Sequence, residues 1–178
     1  NDDLNLKINP PPRLRSLFND LNDRNEDSEI NCEYYDYSER IPFTKDKNKA
    51  LFHMNIASLN LHKEELETIL NMIDLNFDVL GITETKLRCN REPIININLT
   101  GYKIYSTSTE ATKGGALLYV SDQLNTKPLK TLDKIMYKPK LLESVFIEIV
   151  NKGKKNIIVG CIYRHPSMEL SEFNDDFL

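Results

Sequence analysis

The residues best suited to chemistry are a carboxylate and a carboxamide at the ends of two apolar stretches. Glu84 follows the run Val79-Leu80-Gly81-Ile82 and is flanked by Thr83 and Thr85, and Asn55 lies toward the end of the stretch Leu51 to Ile56. A carboxylate only accepts hydrogen bonds, whereas an amide both donates and accepts, so the two can orient one another or a ligand between them. A lone Glu after a strand is ordinarily a surface residue. The case for this one therefore rests on what positions it.

The positioning elements are legible from periodicity. In "ALFHMNIASL", Phe52, Met54 and Ile56 alternate with Leu51, His53 and Asn55, the two-residue period of a strand. The following "NLHKEELETILNMIDLN" places Leu66, Ile69, Leu70 and Ile73 on one helical face, with Ser58 or Asn60 available as cap. "DVLGITE" is a continuous apolar run, as a strand buried on both faces requires. Two strands joined by a crossover helix are parallel and near neighbours, so Asn55 and Glu84 are expected at one edge, where ligands of α/β sheets collect. Further strands are predicted over 102–108, 115–121, 144–150 and 156–164, antiparallel to their neighbours, with "NKGKKN" as a hairpin connection. Gly114-Gly115 reads as a turn before a strand, although paired glycines also admit a phosphate.

Composition sets the frame. The chain has 178 residues, 40% hydrophobic and 28% charged, which suits one domain with a real core. Residues 1–48, with "NPPPRLRS" and "NDLNDRNEDSE", lack a sustained apolar period and read as a poorly ordered polar tether, leaving 49–178 as the domain. The patch "CEYYDYSER" either docks on that domain or decorates the tether. No apolar run approaches a membrane span and the first residues are not a signal peptide, while a start at Asn1 suits a piece of a longer protein. Cys32, Cys89 and Cys161 are odd in number and widely spaced, which argues against a disulfide framework or zinc site and for a reducing compartment. The net charge of -4 does not advertise a nucleic-acid binder. Residues 127–155 nonetheless carry eight lysines against Asp133, Glu143 and Glu148, a stretch read as a solvated loop before a phosphate-binding one.

"FHMNIASLNLHKEELETIL", "FDVLGITETKL", "GGALLYV", "LESVFIEIV" and "IIVGCIYRHPS", in this order and at these intervals, resemble the front half of the endonuclease/exonuclease/phosphatase superfamily. More narrowly they resemble the apurinic-type endonuclease domain of non-LTR, LINE-like retrotransposons. The resemblance implies part of a four-layer α/β sandwich, two mixed sheets flanked by helices, cut after about half the domain. It matches Glu84 to a metal-binding glutamate, Asn55 to the asparagine of the first strand, and Tyr163 to a tyrosine facing the scissile phosphate. It implies Mg²⁺ or Mn²⁺ as cofactor, which suits a single carboxylate plus waters and a substrate phosphate. Arg164 is either a phosphate partner or an ordinary surface arginine.

The implied activity is metal-assisted nicking of DNA, which primes reverse transcription of the element's RNA. The implied partners are DNA, the element's reverse transcriptase and its RNA, with no membrane, and the implied location is intracellular and nuclear. Three motifs of the family's second half, Gly-Asp-x-Asn, a later Asp, and Ser-Asp-His, are not found before Leu178. The chain is therefore expected to be inactive alone and to self-associate through uncovered sheet edges. His165, directly after Tyr163-Arg164 and before Pro166, is expected at a strand-to-loop exit rather than as the missing histidine, and His53 and His62 lack metal-ligand spacing. The alternative is a non-catalytic relic or co-opted fragment that binds protein or nucleic acid.

Overall fold

A computed structural model describes residues 49–73, 75–88, 93, 95–110 and 113–177 of the chain. The expected tether at 1–48 lies outside these residues, as does Cys89. Among the described residues, those up to His165 belong to one compact unit and those from Pro166 onward to another. The first contains β1 (Leu51–Asn55), α1 (Leu59–Ile73), β2 (Val79–Thr83), β3 (Tyr102–Thr107), β4 (Ala116–Ser121), β5 (Thr126–Pro128), α2 (Lys130–Met136), β6 (Leu142–Ile149) and β7 (Ile157–Arg164). The second contains the helix α3 (Leu170–Phe177).

The larger unit is a mixed α/β structure with two sheets. The first has the order β1-β2-β4-β3. β1 and β2 run parallel, with Leu51 opposite Val79 and Asn55 opposite Thr83, as the strand-helix-strand pattern demands. β4 pairs antiparallel with both β2 and β3. This central place for β2 explains its unbroken apolar run, because all five of its residues are buried. β1 alternates between half-buried and exposed residues, which is why its sequence alternates too.

Each face of this sheet has its own core. Leu59 and Leu66 of α1, with Leu70 and Ile73 beside them, pack on Leu80, Ile82, Leu117 and Tyr119. The helix starts in a kinked turn, with His62 at φ -117° and ψ 16°, and its regular face begins beyond it. On the opposite face Val79, Leu118 and Val120 meet Val145, Ile147, Ile149 and Cys161 of the second sheet. The Cys161 thiol donates to the Ile82 carbonyl at 3.7 Å, and burial pushes its pKa up to about 11. The order is thus helix, sheet, sheet. Among the described residues no helix is long and apolar enough to cross a membrane.

The second sheet, β5-β6-β7, is antiparallel throughout, and the expected hairpin joins β6 to β7. Its connection is closed by the Asn151 backbone N–H donating to Asn156 Oδ1 at 3.0 Å, while the Asn151 amide donates to the Lys155 carbonyl at 3.0 Å. The start of the lysine-rich stretch corrects the reading of it as a solvated loop, since it supplies β5 and α2. Leu132 and Met136, four apart, bury one side of α2 while its lysines face outward. Where β5 ends, Asp133 takes over the free edge of β6 by accepting the Phe146 N–H at 2.7 Å. Burial raises the pKa of this carboxyl, against the lowering effect of that bond.

Candidate active site

The site is built first from backbone. Beyond the paired ends of β1 and β2, the Ile56 N–H donates to the Thr83 carbonyl and the Leu59 N–H to the Thr85 carbonyl, both at 3.0 Å. On the other side the Thr85 N–H donates to the Gly115 carbonyl at 3.3 Å and the Lys86 N–H to the Gly114 carbonyl at 2.8 Å. The loop carrying Glu84 is held between two neighbours. Ala57, Glu84 and Lys86 have φ of 56°, 54° and 54°, a left-handed conformation that costs a residue with a Cβ about 1 to 2 kcal/mol. Three such residues around one strand edge place local strain where a function is expected.

The side chains then converge. The Asn55 amide nitrogen donates to Glu84 Oε1 at 2.9 Å, and its oxygen accepts the Ala57 N–H at 3.2 Å. The two bonds together fix the rotation of the amide. From the second sheet, the Tyr163 hydroxyl donates to the same Glu84 Oε1 at 3.2 Å. Tyr163 is only 7% exposed. Burial first, and then the adjacent Glu84 carboxylate, push its hydroxyl up to about 12, so it stays protonated and donating at neutral pH. The sequence-predicted Asn55, Glu84 and Tyr163, up to 108 positions apart in the chain, thus share one oxygen atom.

Glu84 is half-buried and its second oxygen, Oε2, takes no hydrogen bond from a described residue. Among the described residues no three His, Cys, Asp or Glu side chains gather around a common metal position. The donor set suits a hard cation held by one carboxylate and completed by water and a ligand phosphate, because Asn55 and Tyr163 steady one oxygen and leave the other open. Arg164 alternates to the other side of β7 from Tyr163, and its guanidinium reaches the His165 carbonyl at 3.5 Å. The structure does not bring it into the group around Glu84. A cavity of about 270 Å³ beside His53, Gly81 and Cys161 includes none of the three converging residues.

Two residues with no role assigned from sequence complete the site. Glu143 on β6 lies opposite Tyr163 on β7 and is 1% exposed. Its carboxylate accepts the Gly115 N–H, and its Oε1 stands 3.5 Å from His165 Nε2. That separation permits an ion pair without hydrogen-bond alignment, so Nε2 is left without a hydrogen-bond partner. His165 stands at the expected exit from β7, but it is 5% exposed, and its ring meets that of Tyr163 edge-on with centroids 4.8 Å apart. A signal for Glu143 was available. It shares the alternation of Val145, Ile147 and Ile149, so an inward-facing strand in the sequence carries a carboxylate in register with three core residues.

No family model and no curated protein matches the chain. Among solved structures it is similar to the AP endonuclease LMAP from Leishmania major, with 15% identity and a TM-score of 0.43, over 64% of this chain and 38% of that one. It is also similar to the APE2 catalytic domain from Xenopus laevis, with 14% identity and a TM-score of 0.40, over 65% of this chain and 43% of that one. A third similarity is to the 3′ phosphatase NExo from Neisseria, solved bound to a product DNA hairpin, with 19% identity and a TM-score of 0.35, over 61% and 38%. The chain spans 38 to 43% of the length of these structures.

Proposed function

We propose that the chain supplies the first part of a metal-dependent DNA endonuclease site, of the kind that nicks target DNA to prime reverse transcription in non-LTR retrotransposons. The observation that carries this reading is the convergence of Asn55 and Tyr163 on Glu84 Oε1 at the carboxyl edge of β1 and β2. The motif order given above supplies the nucleic-acid substrate and the retrotransposon setting.

In this reading Glu84 Oε2 is the ligand for Mg²⁺ or Mn²⁺, and the bound ion would neutralise charge on the phosphate and on the leaving 3′ oxygen. Asn55 keeps the carboxylate from rotating. Tyr163, with its proton retained, donates to Glu84, and in this reading its hydroxyl would donate to a phosphate oxygen when substrate is bound. In this reading the group that activates the water comes from the later motifs that the resemblance implies, so nicking requires residues beyond Asn55, Glu84 and Tyr163.

The test is plasmid nicking with Mg²⁺ by the 178-residue chain and by a chain continued through the parent gene. The continued chain should convert supercoiled to open-circle plasmid and lose this with Glu84→Ala, while the 178-residue chain should not. Absence of nicking by the continued chain would refute the enzyme reading. Glu84-dependent nicking by the 178-residue chain would refute its incompleteness.

A further inference from the structure

Glu143 is an acidic side chain buried within a strand. Burying a carboxylate is costly unless it is paired, and an apolar residue of similar volume often serves stability as well or better. What this one touches ties it to Glu84 by two routes. The first is backbone: Glu143 accepts the Gly115 N–H, and the carbonyls of Gly114 and Gly115 accept the N–H groups of Lys86 and Thr85, which directly follow Glu84. The second is through rings, because Glu143 faces His165, His165 packs edge-on against Tyr163, and Tyr163 donates to Glu84.

The space around the turn is filled by the same groups. Gly114 and Gly115 have φ of 106° and 91°, in the region that favours glycine. A Cβ at Gly114 would lie 2.8 Å from the His165 ring and closer still to Glu143, and one at Gly115 would collide with Thr85 Oγ1. The two glycines therefore let the turn press between the buried pair and the loop of Glu84.

We propose that Glu143, paired with His165, is a positioning residue that holds the Gly114-Gly115 turn against Thr85 and Lys86 and so presets the Glu84 carboxylate for a divalent cation. The proposal rests on the metal-dependent reading of the site and adds a second carboxylate that never touches the metal. Glu143→Gln retains an acceptor for Gly115. Glu143→Met keeps the volume and removes the acceptor without stranding a charge on Glu143's side, so it is the variant chosen to remain folded.

Two measurements on the full 178-residue chain decide it. Amide hydrogen exchange at Thr85 and Lys86 should quicken at least about tenfold in Glu143→Met, with the β1–β2 ladder unchanged, and stay near the parent rate in Glu143→Gln. Mn²⁺ binding, followed by electron paramagnetic resonance, should weaken at least about tenfold in Glu143→Met and recover in Glu143→Gln. A purely structural role would loosen the ladder and the turn together and show no rescue. Unchanged exchange at Thr85 and Lys86 in Glu143→Met, or equal losses in the two variants, overturns the proposal. Mn²⁺ binding that is indifferent to Glu84→Ala would instead overturn the metal-site reading, and the exchange measurement would still decide the role of Glu143.

Discussion

Glu84 and Glu143 lie on either side of Tyr163, and the protein treats the two carboxylates in opposite ways. Glu84 stands just past a strand end, half-buried, on a left-handed backbone, with one oxygen held and the other open. Glu143 sits inside a strand, 1% exposed, beside a backbone N–H and an imidazole. The first is arranged to meet something from outside. The second is arranged to meet nothing but the protein, and its removal should be felt as lost order rather than as a lost ligand.

That contrast can be broken by stability measurements in urea. The largest effect is expected for Glu143→Ala, which strands His165 and the Gly115 N–H in a cavity and should cost about 3 to 5 kcal/mol. A loss below about 1 kcal/mol would put Glu143 in the same class as Glu84. Gly115→Ala should follow at about 2 to 4 kcal/mol, because the methyl meets Thr85 and the backbone conformation disfavours it.

Tyr163, between the two carboxylates, sharpens the comparison through pH. Its folded-state pKa of about 12 exceeds the ordinary 10.0, so folding favours the protonated hydroxyl. That contribution is whole below pH 10 and is lost as the pH climbs from 10 through 12. Near pH 11 the parent chain should have lost about 1 kcal/mol more than Tyr163→Phe relative to neutral pH, read from urea midpoints at each pH. Parallel alkaline profiles for the two proteins would show that neither burial nor the neighbouring carboxylates hold the hydroxyl protonated.

The smallest effect belongs to Glu84→Gly. Relief of the left-handed backbone offsets the two hydrogen bonds given up, and stability should change by no more than about 0.5 kcal/mol. Even so, this variant should bind no Mn²⁺. A large loss of stability would identify Glu84 as a structural residue.

The difference between the two carboxylates also explains what was legible in the sequence. Glu84 and Asn55 end apolar strands flanking an amphipathic helix, so local period and the parallel crossover rule place them together, and the register of β1 on β2 agrees. The hairpin of β6 and β7 was equally readable from its two apolar runs and the polar connection. The alternation of Glu143 with Val145, Ile147 and Ile149 signals its burial but not its role, which depends on a turn 28 residues earlier and a histidine 22 residues later that no local pattern links. The short β5 and α2 were hidden for a related reason. Their lysines dominate the composition, and only Leu132 and Met136 carry the apolar signal. That Tyr163 reaches Glu84 across two sheets is a tertiary fact, for which periodicity holds no information.

Cys161 has a use that follows from where it is held. Its thiol lies between the two sheets, bonded to the Ile82 carbonyl and kept protonated by burial up to about 11. Burial disfavours the thiolate there, and parting of the layers would relieve that penalty. With Cys32 and Cys89 replaced by serine, the rate at which a thiol reagent captures Cys161 becomes a clock for separation of the two halves of the sandwich. Tyr163 lies two residues further along the same strand, so a separation that frees Cys161 would also draw the tyrosine away from its carboxylate.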